Sequence, residues 1–548
     1  MIKKTFVLVI LSLSITTAQW KAEGIAVADS DDNVNRNYFP GVVTDGRGGC
    51  YISWMDFRNR TDLNIFTQRL DSNGREVFPH NGIAVVTASG TQVLNLCTAD
   101  GRGGIFFTWV DERDAVHSYI YAQHMDSSGN TLWQTNGVKV SEREGLGAQV
   151  ITDGVGGIIV NYTRVFGVVM QRLDSAGNRM WGDSGISQSN NEIFVYEWYN
   201  AMDGKGGVIV SWIQENGIYA QRIRYDGSVA WKQNGIRVST IDTVRSIISM
   251  IGDGASGAMI TWTTGSNVEV RAQRVDSTGT LLWGTNGVHI GYGGTLTGEV
   301  VSDPKRGAII PVLNKLYRVN SDGTHIWPGG ITYTNSVGPM RVVSDSASGA
   351  VVIYEGPHNP PLANWDEMYA QRIDSSGNVR WKSGGVVIAN YYLAYRDKPA
   401  AVSDGKGGVI GAWDEYRWLG DTTNALVGIY AGKVDSQGSV VTSVDLLNHI
   451  VPPREIELFQ NFPNPFNPET IISYHLSVFS NVKLTVFDLL GREVATLVDG
   501  VEESGYKSVQ WDASGVSTGM YFYRLQARPT EGGQAGDFVQ TKKLLLLR

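Results

Sequence analysis

The sequence is poor in several things, and each shortage removes a class of protein. Two cysteines, Cys50 and Cys97, serve 548 residues, which is too few for a disulfide framework. Lys and Arg together number 46 against 54 Asp and Glu, a formal net charge of −8. No basic face for nucleic acid is indicated. Charged residues make up 18% of the chain, a thin supply for long solvated helices. The eight histidines show no metal-ligand spacing. There is no GxSxG elbow and no nucleophile with an obvious base beside it. An enzyme therefore has little support, and no cofactor or metal is indicated.

Long apolar runs are missing too, except at the start. "MIKKTFVLVILSLSITTAQ" places Lys3 and Lys4 before an apolar stretch from Phe6 to Ile15 and ends in small residues at Ala18. This is the layout of a secretory signal peptide over residues 1–19, cut near Ala18 or Gln19. The stretch is shorter than the roughly 20 residues of a membrane span, and no Cys follows to take a lipid. The mature chain is expected to be exported, with no transmembrane segment.

Glycine is plentiful: 65 residues, beside 10% aromatics. That balance suits short strands and tight turns. Two phrases recur. The first is "DGRGG" at 45 and 100, "DGVGG" at 153 and "DGKGG" at 203 and 404, with worn copies at 253, 303 and 345. The gaps between the leading Asp residues are 55, 53, 50, 50, 50, 42 and 59, a period that indicates a propeller or solenoid. Each unit reads as four strands. In the first these are "PGVVTD", "CYISWMD", "NIFTQRLD" and "REVF" with "GIAVV". Asp can accept the backbone N–H groups of its own turn, and Gly takes positive φ.

Four antiparallel strands per unit, eight times over, predict an all-β chain with a β-propeller of eight four-stranded blades across 20–447. The last unit lacks its "W..NG..V" segment, and "WKAEGIAVA" at 20–28 supplies one. The N-terminal strand should complete the eighth blade and remove two open sheet edges. Seven blades with an extra element is the alternative.

The second phrase is "YAQRIDSSGNVRW" at 369–381, with relatives at 121–133, 170–181 and 272–283. Its spacing, Asp374-x-x-Gly377-x-x-x-Trp381, resembles the tryptophan-docking motif of quinoprotein-type eight-bladed propellers. It is fainter as a likeness to the Asp-box hairpin of sialidases. The resemblance implies that Trp133, Trp181, Trp231, Trp283, Trp327 and Trp381, with Trp20 for the last blade, pack between neighbouring blades. It brings no chemistry: there is no vicinal Cys pair, arginine triad or nucleophilic Tyr. The propeller is expected to be a binding or structural module. A glycan-active or redox enzyme is the alternative.

Both kinds of turn lie at one rim. The loops between second and third strands, and those between blades, gather at the other rim and vary, which makes it the expected recognition surface. Three units carry an acid–base pair after the second-strand Trp: "WMDFR", "WVDER" and "WDEYR". Asp56, Arg58, Asp111, Arg113, Asp414 and Arg417 would form a polar patch for a glycan or protein ligand. Alternatively, each pair fixes its own hairpin, the commoner role for a repeated residue. Tyr196, Trp198, Tyr391 and Tyr392 lie in connections between blades and offer aromatic faces. Asp29, Asp31 and Asp32 make an acidic loop whose spacing matches no ordered calcium loop.

Cys50 and Cys97 fall in neighbouring blades near one rim. A bridge needs Cα atoms within about 7 Å, while packed sheets stand about 10 Å apart. Free thiols are favoured, with a bridge left open.

After a linker at 448–457 the repeats stop. Residues 458–548 show the alternation of several strands and fit a β-sandwich. "NFPNPFNPET", "VFDLLGREVATLV", "WDASGVSTGMYFYRL" and the closing "KKLLLLR" resemble the type A C-terminal sorting domain of the type IX secretion system, an Ig-like fold. The resemblance implies that Asn461, Pro463, Asn464, Pro465, Gly491, Gly519, Tyr521, Lys542 and Lys543 belong to a domain read by the outer-membrane translocon. It also implies a cell-surface or secreted destination.

Overall fold

In the computed structural model, the described residues are 20, 24–28, 37–114, 116–163, 167–187, 197–214, 217–241, 243–293, 299–334, 340–357, 366–389, 394–418, 425–441, 456–458, 461, 464–476, 480–502, 505–529 and 538–547. The predicted signal peptide lies outside them. The described residues contain strands and no helix, hence none long and apolar enough to cross a membrane. The chain divides into two compact units, Met1–Val444 and Asp445–Arg548.

The first unit holds eight four-stranded antiparallel sheets among the described residues, blades I to VIII in the order of their first strands. Blade I runs Asn37–Thr44, Cys50–Asp56, Asn64–Leu70 and Ile83–Val86, inner strand to outer. The inner strand of each blade touches that of the next, and the last, Ala394–Ser403, touches Asn37–Thr44 again. The ring is closed.

Closure uses both ends of the unit. Blade VIII consists of Ala394–Ser403, Val409–Trp418 and Ala425–Val434, and its outer strand is Ile25–Ala28 from the chain's start. Ile25 pairs with Ala431 and Ala26 with Tyr430. The expectation of eight blades holds, and the alternative of seven falls.

Both faces of every blade pack on a neighbour, so second strands bury consecutive residues rather than every other one. Cys50–Asp56 is buried throughout. This explains the nearly unbroken apolar runs where a one-sided sheet would alternate. The junction of blades VIII and I gathers Trp20, Ile25, Val27, Cys50, Ile52, Trp54 and Ile429 into one cluster.

The turn joining inner and second strands explains its own sequence. In blade I, Asp45 Oδ1 accepts the amides of Arg47 (2.8 Å) and Gly49 (2.9 Å). Gly46 and Gly48 sit at φ 72° and 86°, where a side chain is strained. At Gly49 the reason is space: a Cβ would stand 2.2 Å from the Leu70 carbonyl oxygen.

The second unit is a sandwich of two sheets. One orders Glu457–Leu458, Glu469–Leu476 and Gly505–Asp512. The other orders Glu493–Glu502, Ser480–Phe487, Gly519–Pro529 and Phe538–Leu546. Ile472, Tyr474 and Trp511 of the first meet Val482, Leu484, Tyr523, Leu525 and Leu544 of the second in one core.

Cys50 and Cys97 are free. Cys97 Sγ lies 3.4 Å from Ser53 Oγ of blade I, so it faces a hydroxyl across the junction rather than the other thiol.

Candidate functional site

The phrase "YAQRIDSSGNVRW" works as a latch between blades. The indole N–H of Trp381 donates to the Ser436 carbonyl in the next blade's outer hairpin turn at 3.3 Å. Trp133, Trp181, Trp231, Trp283 and Trp327 donate likewise to Ser175, Tyr225, Ser277, Ser321 and Ser375. Trp20 closes the series on Ser72 of blade I. The Gly of the receiving turn lies on the ring: a Cβ on Gly438 would stand 2.6 Å from Trp381 and one on Gly74 2.7 Å from Trp20. Gln371 fixes the Trp, its Oε1 accepting the Trp381 amide at 3.0 Å and its Nε2 donating to the Lys382 carbonyl.

Blade I departs from the pattern in a way the sequence reading missed. Phe78 takes the Trp position and packs against Gly129 of blade II, where a Cβ would stand 2.9 Å from its ring. The signal was available: Phe78 precedes "NG" and an apolar strand as Trp133, Trp231 and Trp283 do. Phenylalanine has no N–H, and the Ser127 carbonyl is served by Arg69 Nη1 instead, at 2.9 Å.

Arg69 belongs to a second ring that sequence reasoning did not find. The leading Asp of every inner turn bonds a base on the third strand of its own blade. The pairs are Asp45–Arg69, Asp100–His124, Asp153–Arg172, Asp203–Arg222, Asp253–Arg274, Asp303–Arg318, Asp345–Arg372 and Asp404–Lys433. Several of these bases also donate to the next blade: Arg274 to Ser321, Arg318 to Ser375, Arg372 to Ser436 and Lys433 to Ser72. Burial raises the Asp303 carboxyl, yet the Lys305 amide and the Arg318 guanidinium hold it below the ordinary carboxylate range. In blade II burial pushes His124 below its ordinary value against the pull of Asp100, and Phe106 stacks on its ring at 4.0 Å.

The acid–arginine pairs are built into single hairpins. Asp56, 2% exposed, accepts the Trp54 indole at 2.9 Å and Arg58 Nε at 2.8 Å. Arg58 reaches on to the Asn81 carbonyl and lies 3.6 Å over the Phe66 ring. Asp111, Trp109, Arg113, Asn136 and Tyr121 repeat this in blade II. In blade VIII the indole of Trp413 donates to Glu415 at 2.6 Å, so Glu415 and not Asp414 holds the equivalent place. Asp414 is also buried, and the Arg417 side chain lies outside the described residues. Arg58 and Arg113 keep about a third and a quarter of their side-chain surface.

Of the aromatic candidates, Tyr196, Tyr391 and Tyr392 lie outside the described residues, as do Asp29, Asp31 and Asp32. Trp198 sits on the inner strand of blade IV, where its carbonyl accepts Gln149 Nε2 of blade III at 3.1 Å. It lines the inner end of a blade junction rather than a free loop. No group of three or more His, Cys, Asp or Glu that could hold a metal occurs among the described residues.

In the second unit the Asn-Pro segment is tied to the final strand. Asn464 Oδ1 accepts the Leu545 amide at 2.9 Å, and the Phe466 amide donates to the Leu545 carbonyl at 3.0 Å. Asn461 is buried; its amide donates to the Tyr523 hydroxyl and its Nδ2 to Thr470. Tyr521 donates to the Ser517 carbonyl at 2.6 Å. Gly491 takes φ 76° in a turn capped by Asp488, and Gly519 opens the strand that carries Tyr521. Lys542 and Lys543 pair with Tyr523 and Phe522. Pro465 is exposed, and Pro463 lies outside the described residues. The quoted motifs thus meet in one sandwich.

Residues 460–532 match the family described as the secretion system C-terminal sorting domain. The second unit is a sorting domain. It directs export by the type IX secretion system to the cell surface or the medium. No curated protein matches the chain. Among solved structures, an ulvan lyase of polysaccharide lyase family PL25 is 12% identical, covering 76% of this chain and 96% of its own, with TM-score 0.40. Prolyl oligopeptidase B from Galerina marginata is 13% identical over 70% of this chain and 56% of its own, at 0.38. A protein of unknown function from Dyadobacter fermentans is 12% identical over 75% and 98%, at 0.29.

Proposed function

We propose that the propeller is a binding module displayed outside the cell, recognising its ligand on the rim of the variable loops. Export then runs in two steps. Residues 1–19 direct the first across the inner membrane, and the sorting domain, an Ig-like sandwich on this reading, directs the second across the outer membrane.

One contrast between the rims supports the binding reading. Each inner turn on one rim closes with a bond from the leading Asp amide to a carbonyl four residues on, as in Asp45 to Gly49 and Asp253 to Gly257. Among the described residues, the loops between second and third strands on the other rim range from seven residues at 57–63 to two at 313–314. A closed ring gives such loops fixed anchor points, so they can differ without cost to the core. A glycan array and a peptide display screen on residues 20–548 test the proposal. Specific retention that is lost when loop 57–63 is replaced by a short turn supports it. Turnover of a glycan or redox substrate would overturn it in favour of an enzyme.

A further inference from the structure

The fold explains every residue of the "DGxGG" turns except the variable one. At that position stand Arg47 in blade I, Arg102 in II, Lys205 in IV, Lys305 in VI and Lys406 in VIII, with Arg306 beside Lys305. All six are exposed. None of them has an ion pair among the described residues. Since these turns cap the innermost strands, the six cations surround the mouth of the ring on the rim of uniform turns.

Three of them are consecutive. A Cβ on Gly48 of blade I would stand 3.8 Å from the Asp404 carbonyl of blade VIII, so the turns bearing Lys406 and Arg47 adjoin. Arg47 lies along the next turn, its Nη2 3.2 Å from where a Cβ on Gly103 would be. Arg102 lies in the same way along Gly156 of blade III, at 3.4 Å. The guanidinium groups thus run head to tail around the mouth. The carboxylates of Asp45 and Asp404 beneath them are already paired, with Arg69 and Lys433. The charge of Lys406 opposes protonation of Lys433, and that of Arg102 opposes protonation of His124.

A different charge surrounds them. Asp71, Asp126, Asp174, Asp276, Asp374 and Asp435 head the outer hairpin turns, each accepting turn amides. The rim is therefore cationic at its centre and acidic at its periphery. A broad polyanion such as a DNA duplex would press its phosphates on the outer acids as well as the inner bases. A narrow one crossing the axis meets bases alone.

We propose that this mouth binds a linear acidic polysaccharide, carboxylated or sulfated, through Lys406, Arg47 and Arg102. The site stands apart from the variable rim, so its failure leaves the reading of that rim untouched. Residues 20–548 are titrated with dextran sulfate, neutral dextran and duplex DNA over a salt series. Dextran sulfate is expected to bind and weaken steeply with salt, as polyanion binding by released counterions requires. The variant Arg47→Glu/Arg102→Glu/Lys406→Glu should lose about tenfold or more in affinity and flatten that salt slope. A control with the same charge change outside the mouth, Arg224→Glu/Lys232→Glu/Lys382→Glu, should stay close to the unaltered chain. If the mouth variant misfolds, Arg47→Gln/Arg102→Gln/Lys406→Gln gives the same reading with a smaller loss. No binding of dextran sulfate, an equal loss in the control, or equally tight binding of the duplex overturns the assignment.

Discussion

The indole N–H of Trp20 donates to the carbonyl oxygen of Ser72 at 3.2 Å, so the first described residue of the chain is bonded to the blade that follows it around the ring. Trp20 is completely buried. Trp20→Ala should therefore destabilise the propeller by about 3–5 kcal/mol, the usual cost of emptying a large aromatic site. A chain starting at Asn37 loses the whole outer strand of blade VIII and should aggregate or fail to fold. Urea denaturation of both proteins checks this, and an unchanged midpoint for either contradicts the closure.

The ring of buried pairs makes a sharper demand. Asp253 is 1% and Arg274 11% exposed at the side chain. Asp253→Ala strands the guanidinium without its partner, and breaking a buried pair in this way costs about 3–5 kcal/mol. Asp374, whose carboxylate caps an exposed turn, should tolerate Ala far better. Comparing the two melting temperatures tests whether the inner Asp residues carry more of the stability than the outer ones.

Blade II alone uses histidine in this ring, which gives the propeller a pH dependence of definite sign. Folding lowers the His124 pKa, so the unfolded chain takes up that proton first. Folding likewise lowers the Asp100 pKa: burial opposes the shift, and the Arg102 and Gly104 amides with His124 outweigh it. Both effects remove stability on acidification, the histidine part as pH falls below the unfolded value near 6.5. His124→Arg should abolish that histidine part. A melting series from pH 7.5 to about 5 reads it directly, and parallel curves for the two proteins refute it.

Thiol chemistry should be silent in the folded chain. Burial pushes the Cys97 thiol up to about 11 and Cys50 higher still, so neither ionises near neutrality. A thiol reagent should count two groups after denaturation without reductant and almost none before. A count of zero under denaturing conditions would mean a bridge.

Removing residues 458–548 should leave the propeller folded in the periplasm, since its core is its own and only its address is lost. Fractionation with a melting curve on the trapped protein checks both halves. Normal appearance of the truncated chain at the surface would refute the assigned route.

Much of this was legible because the scaffold residues keep fixed distances along the chain. Trp381 follows Gly377 by four residues, and the same interval recurs in blades II to VI, so the repeat could be counted. The Asp–base ring hid for the opposite reason. Asp303 finds Arg318 fifteen residues on and Asp345 finds Arg372 twenty-seven on, because the loops between second and third strands differ in length. A contact made across a variable loop leaves no fixed spacing to read. Glu415 was missed on a finer point. Strand residues alternate faces, so the partner of Trp413 had to lie two residues on, which excludes Asp414. Phe78 hid behind a change of residue type that keeps the packing and drops the N–H. Trp198 differs again: it is the first residue of an inner strand, inside the segment read as a loop.

Because Ile25–Ala28 and Ala425–Val434 lie side by side in one sheet, the propeller has no preferred beginning. Val441, where its described residues end, packs against the cluster that contains Trp20. The order of blades is thus cyclic while the chain is linear. A gene rearranged to join residue 441 to residue 20 through a short linker, and opened at any other connection between blades, encodes the same circle of contacts.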